Sequence, residues 1–287
     1  MGVSMFGYLI VISNDANKNY GAMASLLAMS IKHTQPSGYD NVALVTDSEE
    51  QLKTFRNLPY FDRVIYWDQK KHWDGRSWMD KLSPWAETIC LDADMIFTRD
   101  YSHWVDYFLK NCELYISPTT YTFRGDTLTS TYYRETFVKN SIPSVYSAYT
   151  YFNKTSELAR DFFNLQRMII ENPLEFKNIY FDKSPPEVIG TDEAFGLAVK
   201  ILDIEDQAAY KLPFPRFVHM KPLAQDFRIP ISRTGLDLGY YFKKNNKLKI
   251  GQFSQIDIVH YADKDIDLEN MIKNYQQMMI QGLKING

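Results

Sequence analysis

The sequence predicts an α/β fold in which strands and helices alternate, and three observations carry that prediction. Short aliphatic runs such as Tyr8 to Ser13 and Val42 to Thr46 have the composition of parallel strands buried on both faces. The first run is followed at helical spacing by Met23, Leu26, Leu27 and Ile31. At 287 residues, with 45% hydrophobic and 15% aromatic residues, the chain can enclose a real core and lies far from the composition of disordered segments.

Taken in order, the first strand feeds the helix that carries Met23 to Ile31. Val42 to Thr46 is a second strand, Glu49 to Phe55 a short helix and Val64 to Trp67 a third strand. The stretch AETICLDADMIFTRD, residues 86 to 100, reads as a buried strand interrupted by Asp92 and Asp94. Leu114 to Ser117 is another strand. Residues 118 to 145, rich in Thr, Tyr and Ser, show little periodicity and read as a long functional loop. YSAYTYFN, 146 to 153, returns to strand, and Leu158, Phe162, Leu165 and Ile169 stripe a helix that starts near Thr155 or Ser156 and stops at Asn172-Pro173. A helix from about Thr191 to Leu202, late strands in FPRFVHMK and FSQIDIVHY, and an amphipathic helix through Leu268, Met271, Ile272, Tyr275 and Met279 complete the chain. No internal repeat or linker divides it, so one domain over 1-287 is expected.

Several function classes are disfavoured at once. A net charge of −3 gives no global attraction to nucleic acid or anionic membrane. The chain lacks G-x-G-x-x-G and G-x-x-x-x-G-K-[ST], so neither a dinucleotide fold nor a P-loop is supported. Its opening apolar run has no basic flank and is far shorter than a membrane span of roughly 20 residues. Cys90 and Cys112 lack metal-motif spacing and read as free thiols. A cytoplasmic protein is expected.

The acids at 92 and 94 are the exception to an otherwise apolar strand. Side chains alternate across a strand, so both carboxylates are expected to point the same way, toward the carboxyl edge where open α/β sheets bind ligands. Buried and unpaired carboxylates are costly, and a divalent cation is the usual remedy. An EF-hand is excluded, because Ile96 and Phe97 stand where a third ligand and a glycine are required. Lys81, upstream in SWMDKLSPW, is a candidate partner for a phosphate. His260, ending a strand in IDIVHYADK, is a candidate third ligand suited to Mn²⁺ or Mg²⁺, with His219 beside Lys221 in FVHMKP as its rival.

The order of VISNDANKNYGAMASLLAMSI, VALVTD, DKLSPWAETICLDADMIF, YTYFN, GTDEAFGLAV and a late VHYADK resembles the GT-A nucleotide-sugar transferases, most of all the glycogenin-like glycosyltransferase family 8. The similarity covers roughly residues 8 to 205 and the strand at 256 to 264. It implies a Rossmann-like GT-A fold with a mixed central sheet flanked by helices. The donor-binding part would span about 1-117, with the acceptor loop and C-terminal part at about 118-287. By this resemblance Asp92, Asp94 and His260 bind the metal, which holds the donor diphosphate, while Asn14, Asp15 and Tyr20 contact the nucleotide. Lys81 matches the family lysine near the donor phosphate and sugar, and Asp192 with Glu193 matches the acidic position beside the donor sugar. The family's H-x-x-G-x-x-K ending implies Lys264 as a phosphate-binding residue, although here the glycine is missing and the lysine comes two positions early.

The resemblance implies a metal-dependent retaining glycosyltransferase that moves a sugar from a nucleotide-diphosphate donor, with UDP the family's usual nucleotide, to a hydroxyl acceptor. The acceptor is left open between a saccharide, a lipid-linked sugar, a protein and DNA. The last rests on Lys243, Lys244, Lys247 and Lys249 around an expected Asn-Asn hairpin, which suit contacts to the backbone phosphates of phage DNA whose modified base would accept the sugar. A third alternative is a non-catalytic sugar-nucleotide binding protein on the same fold.

Overall fold

A computed structural model of the chain describes residues 6–14, 18–67, 75–128, 134–181, 188–220, 240–242, 248–261 and 267–281. The strands are β1 (Phe6–Ile12), β2 (Val42–Thr46), β3 (Arg63–Tyr66), β4 (Glu87–Leu91), β5 (Met95–Ile96), β6 (Leu114–Ser117), β7 (Tyr146–Asn153), β8 (Phe217–His219), β9 (Tyr240–Phe242), β10 (Leu248–Ile250), β11 (Phe253–Ser254) and β12 (Ile258–His260). The helices are α1 (Tyr20–Thr34), α2 (Glu49–Phe55), α3 (Met79–Leu82), α4 (Ser102–Asn111), α5 (Glu135–Lys139), α6 (Glu157–Glu171), α7 (Pro173–Tyr180), α8 (Thr191–Leu202), α9 (Glu205–Ala208) and α10 (Leu268–Ile280). A 3₁₀ turn, Gly75–Trp78, leads into α3.

Six strands form the central sheet in the order β3-β2-β1-β4-β7-β6. The first four are parallel, and β7 runs against both β4 and β6. The period-2 alternation of side chains divides the core in two. Tyr8 and Ile10 of β1, Ile89 and Leu91 of β4, and Tyr149 and Tyr151 of β7 face a cluster completed by α1, α4 and α10. Leu9, Cys90 and Phe152 face the opposite cluster, completed by Phe162 and Phe163 of α6 and Phe195 of α8. Helices thus cover both faces of a mixed sheet, as the family resemblance implies. Among the described residues, no helix is long and apolar enough to cross a membrane.

The differences from the expected elements have local causes. Pro173 ends α6 but also opens α7, because the first turn of a helix has no partner for the N–H that proline lacks. The expected long loop contains α5, and α4 has no counterpart among the expected elements, because its buried Trp104, Val105 and Phe108 are outnumbered by polar residues. Gly196 lets α8 lie against the loop, since a Cβ there would stand 2.4 Å from the Pro143 carbonyl oxygen.

A second, three-stranded sheet, β5-β12-β8, positions the site. β12 pairs antiparallel with β5, placing His260 opposite Met95, and parallel with β8, placing His260 opposite His219. A third small sheet pairs β9 and β11 with β10; the expected Asn-Asn turn between β9 and β10 lies outside the described residues.

Candidate active site

Asp92 and Asp94 do not share a strand as simple alternation predicts. β4 ends at Leu91, and residues 92 to 94 form the turn by which the chain leaves the central sheet for β5. Two backbone bonds fix this crossing: the Asp92 N–H donates to the Ala148 carbonyl at 3.2 Å, and the Tyr261 N–H donates to the Asp94 carbonyl at 3.0 Å. Ala93 is buried in the core between them. The crossing turns both carboxylates toward His260, whose Nε2 stands 2.9 Å from Asp94 Oδ1 and 3.6 Å from Asp92 Oδ2.

The three donor atoms all lie within 4.8 Å of one another. Adjacent ligands of an octahedral ion with bonds of about 2.1 Å stand about 3 Å apart, so this spacing fits a small divalent cation with little movement. Two carboxylates and an imidazole also make a donor set suited to Mn²⁺ or Mg²⁺. Arg76, on the 3₁₀ turn, pairs with Asp92 Oδ1 and leaves Oδ2 turned to the histidine. One guanidinium beside two carboxylates leaves net negative charge at the cluster.

Asp192 opens α8 and connects with this cluster through hydrogen bonds. Its Oδ2 accepts from Arg134 at 2.9 Å, while Oδ1 accepts from the Ser147 N–H at 2.9 Å and the Ser147 hydroxyl at 2.6 Å. The same hydroxyl accepts from Arg76 Nη1 at 2.8 Å. A polar chain Asp92–Arg76–Ser147–Asp192–Arg134 results. Burial would raise the Asp192 pKa, but Arg134 and the two Ser147 bonds outweigh it and hold the carboxyl below the ordinary aspartate range. A lowered folded-state pKa adds stability above the unfolded value, and that stability is lost as pH falls through the folded value. The stability gap between wild type and Asp192→Asn in urea titrations should therefore be constant at neutral pH and narrow below about pH 4, the unperturbed aspartate region. A gap that narrows at neutral pH would refute this account.

The remaining predicted residues divide between the site edge and other roles. Asn14 and Tyr20 flank the β1-to-α1 connection, on the same sheet edge as the acids because β1 and β4 are parallel neighbours. The Asn14 N–H donates to Asp47 at 2.7 Å, and Lys18 lies 5.4 Å from the centre of the Tyr20 ring. Asp15 and Lys264 lie outside the described residues. Glu193 accepts from the Gly190 N–H at 2.8 Å, so its carboxylate caps α8. Lys81 has a 58% exposed side chain and stands 3.4 Å from Asp80. Arg76, five residues earlier, reaches Asp92 instead.

His219 stacks on His260 and is not part of the three-donor cluster. Lys249 is buried, with Nζ donating to the Gln252 carbonyl at 2.8 Å, while Lys243, Lys244 and Lys247 lie outside the described residues. The described lysine of that group therefore lends no support to phosphate binding. Sequence reasoning missed Arg76, Ser147 and Arg134: the two arginines lie outside every quoted motif, and nothing within YSAYTYFN marks Ser147 out from its strand neighbours.

No protein-family model and no curated protein matches the chain. Solved structures do match. The galactosyltransferase LgtC, in complex with donor and acceptor sugar analogues, aligns over 95% of this chain and 96% of its own, with a TM-score of 0.55 and 12% identity. The fold is GT-A. Mouse xyloside xylosyltransferase 1 shares it over 77% of this chain and 90% of its own, with a TM-score of 0.51 and 12% identity. The glycosyltransferase GlyE of Streptococcus pneumoniae shares it over 97% of this chain and 64% of its own, with a TM-score of 0.52 and 12% identity. In this GT-A chain the acids, Arg76 and Asp192 belong to one connected cluster that starts where β4 leaves the GT-A sheet.

The placement of Arg76 and Lys81 leads to opposite expectations. If the chain turns over a nucleotide-sugar donor, Lys81→Ala should leave that rate within about threefold of wild type, since the Lys81 side chain is 58% exposed and pairs with Asp80, outside the cluster. Arg76→Lys, which cannot hold Asp92 and Ser147 together with a planar fork, should lower it by about tenfold or more. Steady-state rates of both variants on one donor check this, and a larger loss for Lys81→Ala would reverse the assignment.

Proposed function

We propose that the protein is a metal-dependent, retaining glycosyltransferase that moves a sugar from a nucleotide-diphosphate donor, a UDP-sugar first among candidates, to a hydroxyl acceptor. The observation that carries this reading is the convergence of Asp92, Asp94 and His260 where β4 leaves the central sheet. These residues would hold Mn²⁺ or Mg²⁺, which, when bound, matches the negative charge that develops on the departing diphosphate. Arg76 adds a fixed positive charge beside Asp92. Asn14, Asp15 and Tyr20 are the candidate nucleotide contacts.

Asp192 is the proposed group beside the transferred sugar. Three hydrogen bonds engage both of its oxygens, and its lowered pKa makes it a poor attacking group. It is better suited to hold negative charge against the cationic character of the sugar as the bond breaks. The acceptor oxygen then attacks from the leaving-group face while the bond from sugar to diphosphate opens, and the acceptor proton passes to the departing diphosphate oxygen. That course retains configuration without a covalent enzyme intermediate.

The test begins with a panel of nucleotide sugars, each with and without Mn²⁺, scored by thermal stabilisation. The donor that stabilises most is then assayed for release of its nucleoside diphosphate. Mn²⁺-dependent release, lost in Asp94→Asn, is expected. Stabilisation without any release, with or without acceptors, would instead support a non-catalytic binding protein.

A further inference from the structure

His219 offers an imidazole in the same neighbourhood as the metal ligands, yet its position suits a different task. Its ring lies parallel to that of His260, with centroids 4.4 Å apart and 2° between the planes. Strand register produces the stack, because His219 and His260 are direct partners in the parallel pair β8 and β12 and project side by side. Both are buried, at 3% exposure each. Phe217 stands at 45° to both imidazoles, 6.2 Å from His219 and 6.3 Å from His260, and Tyr146 meets His219 edge-on at 5.8 Å.

A histidine ligand works only if its ring plane points the ligating nitrogen at the ion, and neighbouring groups normally fix that plane. Hydrogen bonding to the second ring nitrogen is the common device. Here a flat ring lies against the flat face of His260 and restricts rotation about its final side-chain torsion, which is otherwise a broad well. The arrangement keeps Nε2 aimed at Asp92 and Asp94.

We propose that His219 is a positioning residue for the metal centre, acting through its flat ring and not through a nitrogen donated to the ion. The proposal rests on the reading of Asp92, Asp94 and His260 as metal ligands. It predicts that the shape of the side chain at 219 governs affinity for the cation, and that its polarity does not.

Two substitutions separate these properties. His219→Phe keeps a flat ring and removes both nitrogens, whereas His219→Gln keeps polarity and removes the ring. Binding of Mn²⁺ alone is measured on the full chain by electron paramagnetic resonance, with His260→Ala as control and circular dichroism confirming the fold of each variant. Wild type should bind, His260→Ala should lose binding, His219→Phe should stay within about threefold of wild type, and His219→Gln should weaken by about tenfold or more, the usual cost of disturbing the support of a ligand. Weak binding by His219→Phe with normal binding by His219→Gln would make His219 a nitrogen donor and overturn the proposal. Equal binding by both variants and wild type would overturn it too. Absence of binding by wild type would overturn the metal reading itself, a separate outcome.

Discussion

Asp94→Asn is expected to lower Mn²⁺-dependent release of nucleoside diphosphate by at least about 10²-fold, the scale seen when a preorganised group that matches transition-state charge is lost. The substitution keeps the shape of the side chain and removes one negative charge from a site that holds two carboxylates within reach of one histidine. It should also reduce Mn²⁺ stabilisation in a thermal melt. The metal-free protein should melt within a few degrees of wild type, because two like charges in a buried cluster favour the ion and not the fold. Turnover that survives the change, measured on a donor that wild type consumes, would remove the ion from the mechanism.

Asp80→Ala should produce the largest loss of stability, about 3 kcal/mol, read as a shift of the urea midpoint at unchanged slope. Asp80 and Arg167 form an ion pair at 2.8 Å with both side chains buried. Removing the carboxylate leaves a guanidinium in the interior. The Ser77 carbonyl at 2.8 Å and the Asn164 side chain at 2.6 Å still accept from it, which places the cost at the low end for a broken buried pair. Arg167 also lies 4.7 Å from the centre of the Trp78 ring, so the pair anchors the turn that carries Arg76. Donor turnover should fall with stability. The double change Asp80→Leu with Arg167→Met should recover much of the stability and none of the Arg76 positioning, and a double variant weaker than Asp80→Ala would contradict this.

Much of the fold was legible because the strands are short aliphatic runs and the sheet is buried on both sides. β2, α2, β6 and β7 fall on the residues where the pattern places them. The acids at 92 and 94 were legible for a different reason, since charge inside an apolar run demands compensation. Arg76, Ser147 and Arg134 were not legible. Each acts through hydrogen bonds or ring contacts to residues distant in sequence, as Arg76 does with Asp92 and Ser147, and such contacts leave no local period. Lys81 attracted attention by its place before the strand, but the turn that brings Arg76 inward sends Lys81 outward. His219 and His260 are register partners, and only their placement relative to the acids, which sequence alone does not give, tells them apart.

The small sheet that presents His260 joins chain regions far apart: Met95 beside the acids, and the strands that end at 219 and 260. Contacts between such distant segments form late, since a long loop must close before any of them is rewarded. The three candidate ligands, Asp92, Asp94 and His260, therefore come together only when the last third of the polypeptide has docked onto the first. A cation bound there would act as a clasp, and its withdrawal should loosen the carboxyl-terminal strands before it disturbs the central sheet.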